Sequence, residues 1–203
     1  MELSKVTMIL RGYNVEQVRT VAEVLLHSKY VRNMEITLNT DNAYEIIRTI
    51  SDEYQDKLNI GAGTVQTYDE LVKAVEAGAK FVLSPRQMTV DMLAYCKKKG
   101  IVSVPGSFTP SEIGEQFEMG ADIVKVFPAN ELSLKYAKKV CEPMGNLYLM
   151  AVGGINKENV REALDSGYKY VGTAGGLFPK DQIMKMDKEK MLISLKEFEA
   201  ELE

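Results

Sequence analysis

One lysine has apolar neighbours on both sides at the centre of a predicted strand. Lys125 is flanked by valines in residues 122–128, and two-residue alternation places it on one face with Ile123 and Phe127. Burial lowers the pKa of an amine, and an uncharged amine attacks carbonyl carbons. The pattern therefore predicts that Lys125 forms an imine with a carbonyl substrate, with Phe127 beside it. The alternative is that Lys125 serves only as half of a buried ion pair.

A glutamate occupies the matching position in an earlier predicted strand. Residues 31–38 alternate between an apolar and a polar face, and the polar face carries Asn33, Glu35 and Thr37. In a closed parallel sheet Glu35 would face the interior with Thr37 above it, whereas in an edge strand both would face solvent. A carboxylate opposite an imine can shuttle protons, directly or through water. Because these two groups suffice for the chemistry, no metal and no cofactor are expected.

The remaining composition excludes several classes of protein. His27, the one histidine, is expected to be structural in a helix over residues 15–28, so Ser-His-Asp, Cys-His and zinc sites lack their usual groups. Cys96 and Cys141 form no Cys-x-x-Cys pair and are expected to be buried and reduced in the cytoplasm. The net charge of −4 gives no long-range attraction to nucleic acid or anionic membranes. No apolar run is long enough for a transmembrane helix, and the N-terminus does not resemble a signal peptide.

A short apolar run that ends in Gly, Pro, Thr or Ser recurs eight times along the 203 residues, each time before a helix signal. From Thr64 onward, successive run ends lie about 21–25 residues apart, as a strand, a loop and a crossover helix require. Eight such units predict an α/β fold, a single-domain (β/α)₈ TIM barrel over residues 1–203. An open doubly wound sheet would instead place Gly-x-Gly-x-x-Gly after the first strand, where the chain has Arg11-Gly12-Tyr13-Asn14.

Particular residues mark the helix starts. Thr67 and Thr109 each begin a capping box. Further N-caps are predicted at Asp41, Thr89 and Asn156. In the helix after Thr67, helical spacing predicts a core-facing stripe of Tyr68, Leu71, Val72 and Val75.

The barrel has its active site at the carboxyl ends of the strands, so Lys125 in the sixth strand and Glu35 in the second would face the same mouth. Lys80 begins its strand at the opposite end and is the weaker candidate nucleophile. The seventh and eighth loops each carry a glycine pair, Gly153-Gly154 and Gly175-Gly176. Backbone N–H groups there, at the helix start after Asn156, could bind a phosphate, or the pairs could be simple turns.

With these residues identified, the chain resembles the 2-keto-3-deoxy-6-phosphogluconate (KDPG) and 4-hydroxy-2-oxoglutarate (KHG) aldolase family, which are class I pyruvate aldolases. The resemblance runs from about Met8 to Phe178 and depends on seven short motifs in order. They are Ile9-Leu10-Arg11-Gly12, Glu35-Ile36-Thr37-Leu38, Gly61-Ala62-Gly63-Thr64-Val65, Ser84-Pro85, Val104-Pro105-Gly106, Lys125-Val126-Phe127-Pro128 and Gly153-Gly154-Ile155.

The resemblance implies roles for individual residues. Lys125 would be the Schiff-base lysine and Glu35 the general acid and base. Thr64 would lie near the pyruvyl carboxylate, and Pro85 would pack along the pyruvyl unit. Arg11 would contact an anion of the substrate, either carboxylate or phosphate. The family also implies a homotrimer.

The chain departs from the phosphogluconate members at the far end of the substrate. Asn39 stands where they usually have arginine, Ala151-Val152 replaces Pro-Thr, and Gly175 replaces a common phosphate-binding serine. The segments Leu38-Asn39 and Ala151-Val152-Gly153-Gly154 instead look like the 6-phosphogalactonate branch. In the family position 152 lies beside the bound substrate, so Val152 could alter recognition of a hydroxyl group.

The resemblance implies reversible cleavage of a 2-keto-3-deoxy-6-phospho sugar acid to pyruvate and glyceraldehyde 3-phosphate. 4-Hydroxy-2-oxoglutarate, which gives glyoxylate, is a second candidate substrate. Two alternatives remain: a sugar-phosphate isomerase or thiamine-phosphate-type synthase on a phosphate-binding barrel, and a non-catalytic phosphate-binding barrel. Neither requires a lysine at the centre of a strand opposite a glutamate.

Overall fold

The computed structural model describes residues 3–54 and 56–203, in which strands and helices alternate along the chain. The strands are β1 (Val6–Leu10), β2 (Val31–Thr37), β3 (Asn59–Gly63), β4 (Phe81–Leu83), β5 (Val102–Val104), β6 (Gly106–Ser107), β7 (Val124–Val126), β8 (Leu149–Val152) and β9 (Tyr170–Thr173). The helices are α1 (Val15–Leu25), α2 (Ala43–Tyr54), α3 (Tyr68–Glu76), α4 (Val90–Lys99), α5 (Pro110–Glu118), α6 (Tyr136–Met144), α7 (Val160–Asp165), α8 (Lys180–Met184) and α9 (Lys188–Ala200).

The described strands form one parallel sheet in the order β5-β4-β3-β2-β1-β9-β8-β7-β6. β5 pairs with β4 and β6 pairs with β7, and only Pro105 separates β5 from β6. Proline has no N–H to donate to a ladder, so the fifth strand is interrupted there. The chain itself therefore joins the two ends of the sheet. The predicted (β/α)₈ barrel is confirmed, with its fifth strand divided in two.

Alternate strand residues point into the barrel. The interior apolar cluster consists of Leu3, Phe81, Leu83, Val104, Ile123, Met150 and Val152. Met34 and Ile36 belong instead to the larger core between strands and helices. The alternation predicted for β2 is thus confirmed, and it leaves Glu35 inside the barrel. At the amino end of the strands, the Asn33 amide donates to Thr7 Oγ1 (3.1 Å), which satisfies a polar group buried in the interior.

The predicted helix starts are correct where a threonine caps the helix. Thr67 and Thr109 form complete capping boxes, and Thr89 accepts the N–H of Met92. Asp41 was wrongly predicted to be the N-cap of α2, because the helix begins at Ala43. The residue before it, Asn42, has a φ of 57°, so the chain enters α2 through a left-handed turn.

Other local predictions differ from the structure. α1 ends at Leu25, so His27 is exposed in the following turn, where Ser28 Oγ accepts the N–H of Val31 at the start of β2. Tyr68 is 44% exposed and does not face the core. Cys96 is buried, whereas Cys141 is only half-buried. None of the described helices is long and apolar enough to cross a membrane.

Candidate active site

Lys125 lies in the middle of β7 with its side chain inside the barrel. The residue is 5% exposed, and its Nζ lies 4.8 Å from the centre of the Phe127 ring. Burial lowers the pKa of the amine, and the positive charge of Arg11 lowers it further, whereas Glu35 opposes the change. Lys80, by contrast, is exposed and precedes β4. The structure therefore gives Lys125 the environment of a nucleophilic amine.

Glu35 lies on β2 and is 3% exposed. Burial raises the pKa of its carboxyl group, and the charges of Lys125 and Arg11 oppose that rise. Its Oε2 is buried and has no hydrogen-bond partner in the described chain. Among the described residues no carboxylate oxygen lies within 4.0 Å of Lys125 Nζ, so the two groups do not form a structural ion pair. Both remain available to a molecule placed between them.

Gly63, at the end of β3, gives the Glu35 side chain its space. A β-carbon at position 63 would overlap Glu35 Oε1 and would lie 2.7 Å from Glu35 Cγ. Any side chain there would displace the carboxyl group. The sequence analysis did not identify this role, although a glycine inside a strand is a known signal of close approach.

Thr64 follows Gly63 at the mouth in an uncommon backbone conformation. Its φ is 60°, which is rare for a β-branched residue, and such residues cluster at functional sites. Pro85, after β4, is half-buried at the same end of the barrel. A β-carbon on Gly106 would lie 2.7 Å from the Pro85 carbonyl oxygen, and Gly106 pairs with Lys125 in the sheet. The loop that carries Pro85 therefore packs against the strand next to Lys125.

Thr37 is completely buried, and its hydroxyl group does not face open space. It donates to the carbonyl oxygen of Leu10 (3.3 Å) and lies 3.1 Å from Thr40 Oγ1. Thr37 therefore connects the second strand to the loop that carries Arg11, and its one hydroxyl hydrogen is already donated within the protein.

A cavity of about 1010 Å³ adjoins the mouth where β8, β9 and β1 lie side by side. Its lining includes Ile9, Arg11, Val152 and both glycine pairs, Gly153-Gly154 and Gly175-Gly176, but neither Lys125 nor Glu35. Residues of α8 and α9 form its outer wall. The cavity thus extends the site away from the reacting groups and toward solvent.

The glycine pairs expose backbone N–H groups to this cavity. Gly153 and Gly154 have φ values of 116° and 70°, and a β-carbon on either would approach Asn130 closely. In the described chain, the N–H groups of Gly154, Gly175 and Gly176 have no hydrogen-bond partner. Such a concave group of N–H donors is suited to an anion.

Asn156 was wrongly predicted to cap α7. The helix begins later, at Val160, and the Asn156 side chain accepts the N–H of Glu158 (3.0 Å) in a separate turn. The N–H donors of this cavity therefore come from the loops and not from the N-terminus of α7.

Most of the predicted site residues meet at this end of the barrel. Glu35, Lys125 and Arg11 interact electrostatically, and Phe127 lies next to Lys125 with 37% of its surface exposed. Val152 is 6% exposed and links the barrel interior to the cavity. The described residues contain no group of three His, Cys, Asp or Glu residues placed to hold a metal ion.

Comparison with known proteins agrees with this geometry. The family model for KDPG and KHG aldolase matches residues 1–193. The 2-dehydro-3-deoxy-phosphogluconate aldolase of Pseudoalteromonas atlantica is 34% identical over 164 residues, 79% of this chain and 74% of the relative. The 2-dehydro-3-deoxy-6-phosphogalactonate aldolase of Escherichia coli is 26% identical over 175 residues, 86% of this chain and 84% of the relative.

A crystal structure of KDPG aldolase from Legionella pneumophila holds pyruvate captured as a covalent carbinolamine intermediate. It matches this structure with a TM-score of 0.84 at 27% identity and covers 97% of this chain and 93% of that one. The match extends over the whole barrel that carries Lys125 and Glu35. This chain therefore belongs to the KDPG and KHG aldolase family.

Proposed function

We propose that this protein is a class I aldolase that cleaves a 2-keto-3-deoxy-6-phospho sugar acid, of the phosphogluconate or phosphogalactonate type, to pyruvate and glyceraldehyde 3-phosphate. The observation that carries the proposal is the buried Lys125 amine in the same barrel interior as the Glu35 carboxyl group, whose buried Oε2 has no hydrogen-bond partner in the described chain. An isomerase or a non-catalytic barrel does not require this pair. 4-Hydroxy-2-oxoglutarate is the second proposed substrate.

The chemistry follows from these two groups. Lys125 Nζ attacks the C2 carbonyl carbon, and the carbinolamine loses water to form a protonated imine. Glu35 takes the proton of the C4 hydroxyl group, the C3–C4 bond breaks, and its electrons pass into the imine to form an enamine. The aldehyde leaves, C3 is protonated, and water releases pyruvate and the free amine.

The two ends of the substrate are assigned by position. The carboxylate end is placed near Thr64 and Pro85, whose loops follow β3 and β4. The phosphate is placed at the glycine pairs and Arg11, because they line one cavity and provide N–H donors and a positive charge there. Thr37 is assigned an indirect role, because its hydroxyl group is bonded to Leu10 and Thr40.

Trapping the imine tests the proposal directly. Incubation with pyruvate and borohydride should leave a reduced adduct on the peptide that contains Lys125, since reduction makes the imine bond permanent. Lys80→Ala is the matched control, because Lys80 is exposed at the start of β4 and should not affect trapping. Absence of an adduct, or an adduct on Lys80, would reject the assignment. Comparison of kcat/KM for the two phospho sugar acids then measures the preference between them.

We also propose that the protein is a cytoplasmic homotrimer. Both cysteines are free, as expected in a reducing compartment. Four exposed apolar side chains follow successive strands at the carboxyl end of the barrel: Tyr68, Val90, Phe108 and Phe127. Such a surface is typical of contact between subunits.

Light scattering should report about three times the 22.7 kDa chain mass for the protein. Val90→Asp should lower that mass, because it places a charge in the apolar surface. Ile193→Asp is a matched control, since Ile193 is 57% exposed on α9 and Val90 is 58% exposed on α4. A monomeric mass for the unsubstituted protein would contradict the trimer.

A further inference from the structure

Thr37, the last residue of β2, and Thr40, in the turn after it, hold the backbone on both sides of Arg11. The Gly12 N–H donates to Thr40 Oγ1 at 2.9 Å, and Thr37 Oγ1 donates to the Leu10 carbonyl at 3.3 Å. The two threonine hydroxyls lie 3.1 Å apart. Arg11 therefore lies between two backbone groups that are bonded to one pair of hydroxyls.

The direction of each hydrogen bond follows from the number of hydrogens. Thr37 has one hydroxyl hydrogen, and it is used on Leu10, so Thr40 must donate to Thr37. Thr40 Oγ1 in turn accepts from Gly12. These hydrogen bonds and the backbone from Leu10 to Gly12 close a ring, called here the threonine ring, in which every polar group has a partner. Both threonines are buried, and Thr40 is 7% exposed. A satisfied buried network of this kind fixes a loop more firmly than its separate bonds would.

The backbone at this loop needs such support. Gly12 has a φ of 74°. No atom outside its chain neighbours lies within 4 Å of the place where a β-carbon would be, so the turn is not held by packing at this point. The Arg11 side chain is exposed and has no ion-pair partner among the described residues. The position of its charge relative to the cavity therefore depends on its backbone.

We propose that Thr40 is a positioning residue for substrate binding, because its hydroxyl group holds Arg11 where it meets the phosphate end of the substrate. The inference depends on the proposed aldolase function and adds to it a residue that touches neither the substrate nor the reacting atoms. Thr40 belongs to the turn after β2, two positions beyond the last residue of the aldolase motif in that strand.

Thr40→Val removes the hydroxyl group and keeps the shape of the side chain. We expect KM for the phospho sugar acid to rise about tenfold, while kcat and the KM for 4-hydroxy-2-oxoglutarate, which has no phosphate, change by less than about twofold. Thr40→Ser restores the hydroxyl group and should bring the first KM back to the value of the unsubstituted protein.

Thr49→Val is the matched control. Thr49 lies on α2, and both Thr49 and Thr40 line a second cavity, of about 530 Å³, between the first loop and α2. In the described chain Thr49 makes no hydrogen bond to the first loop. Its kinetics should be unchanged. In an Arg11→Gln background, Thr40→Val should have no further effect on KM, because its target is gone.

Equal changes in KM for both substrates, or no change for the phospho sugar acid, would overturn the inference. A KM for Thr40→Ser that stays above the value of the unsubstituted protein would also overturn it. This comparison holds even if Thr40→Val does not fold. Borohydride trapping of pyruvate should remain intact in every Thr40 variant. If trapping is absent from the unsubstituted protein, the aldolase assignment itself fails. Trapping therefore distinguishes failure of the aldolase assignment from failure of the role proposed for Thr40.

Discussion

Replacement of Lys125 by methionine is expected to abolish turnover and to make the folded protein more stable. Without the amine no imine forms, so kcat/KM should fall by at least about 10⁴-fold. The methionine side chain is apolar and similar in length, and it fills the same 5%-exposed position without a desolvated amine. The free energy of unfolding at pH 7 should rise by on the order of 1 kcal/mol.

The pH dependence of unfolding provides a second observable for the same variant. Burial lowers the pKa of Lys125 in the folded state, so the folded protein binds fewer protons than the unfolded chain at pH values between the lowered and ordinary pKa. The contribution of Lys125 to stability therefore rises with pH through that window, and Lys125→Met should lose this rise. Denaturant titrations over a pH series measure it.

Lys80→Met is the control for Lys125→Met, because Lys80 is exposed. We expect full activity and a free energy of unfolding within about 0.5 kcal/mol of the unsubstituted protein. Substantial turnover by Lys125→Met would mean that another residue supplies the nucleophile.

Replacement of Glu35 by glutamine is expected to separate imine formation from turnover. The amide cannot transfer the protons of C–C cleavage, so kcat should fall by about 10²–10⁴-fold. Lys125 remains in place, so borohydride should still trap pyruvate. Full activity in this variant would remove Glu35 from the mechanism.

The stability of the glutamine variant should also depend on pH. In the folded state burial raises the pKa of Glu35 above its ordinary value, so the fold is more stable when this carboxyl group is protonated than when it is ionised. As pH rises through the window between the ordinary and the raised pKa, ionisation lowers the free energy of unfolding. Glu35→Gln should lose this decline and be more stable than the unsubstituted protein above the window. Glu45→Gln, at an exposed position on α2, is the control and should retain the decline and full activity.

The sequence by itself determined the repeated strand–helix units, the barrel class and the inward direction of Lys125 and Glu35. These conclusions depend on local patterns: a capping threonine satisfies N–H groups of its own helix, and a strand residue points to the same side as those two positions away. Thr67, Thr109 and the alternation in β2 were therefore predicted correctly from short segments.

Only the tertiary structure decided how residues from different strands share space. The overlap that reserves position 63 for glycine involves Glu35 on the neighbouring strand, and the threonine ring joins the first loop to the second. The two halves of the fifth strand, on either side of Pro105, pair with opposite ends of the sheet, and the Asn156 side chain accepts an N–H within its own turn while α7 begins later. These features depend on contacts between segments that are distant in the chain or on competition between local hydrogen bonds, which residue patterns alone do not resolve.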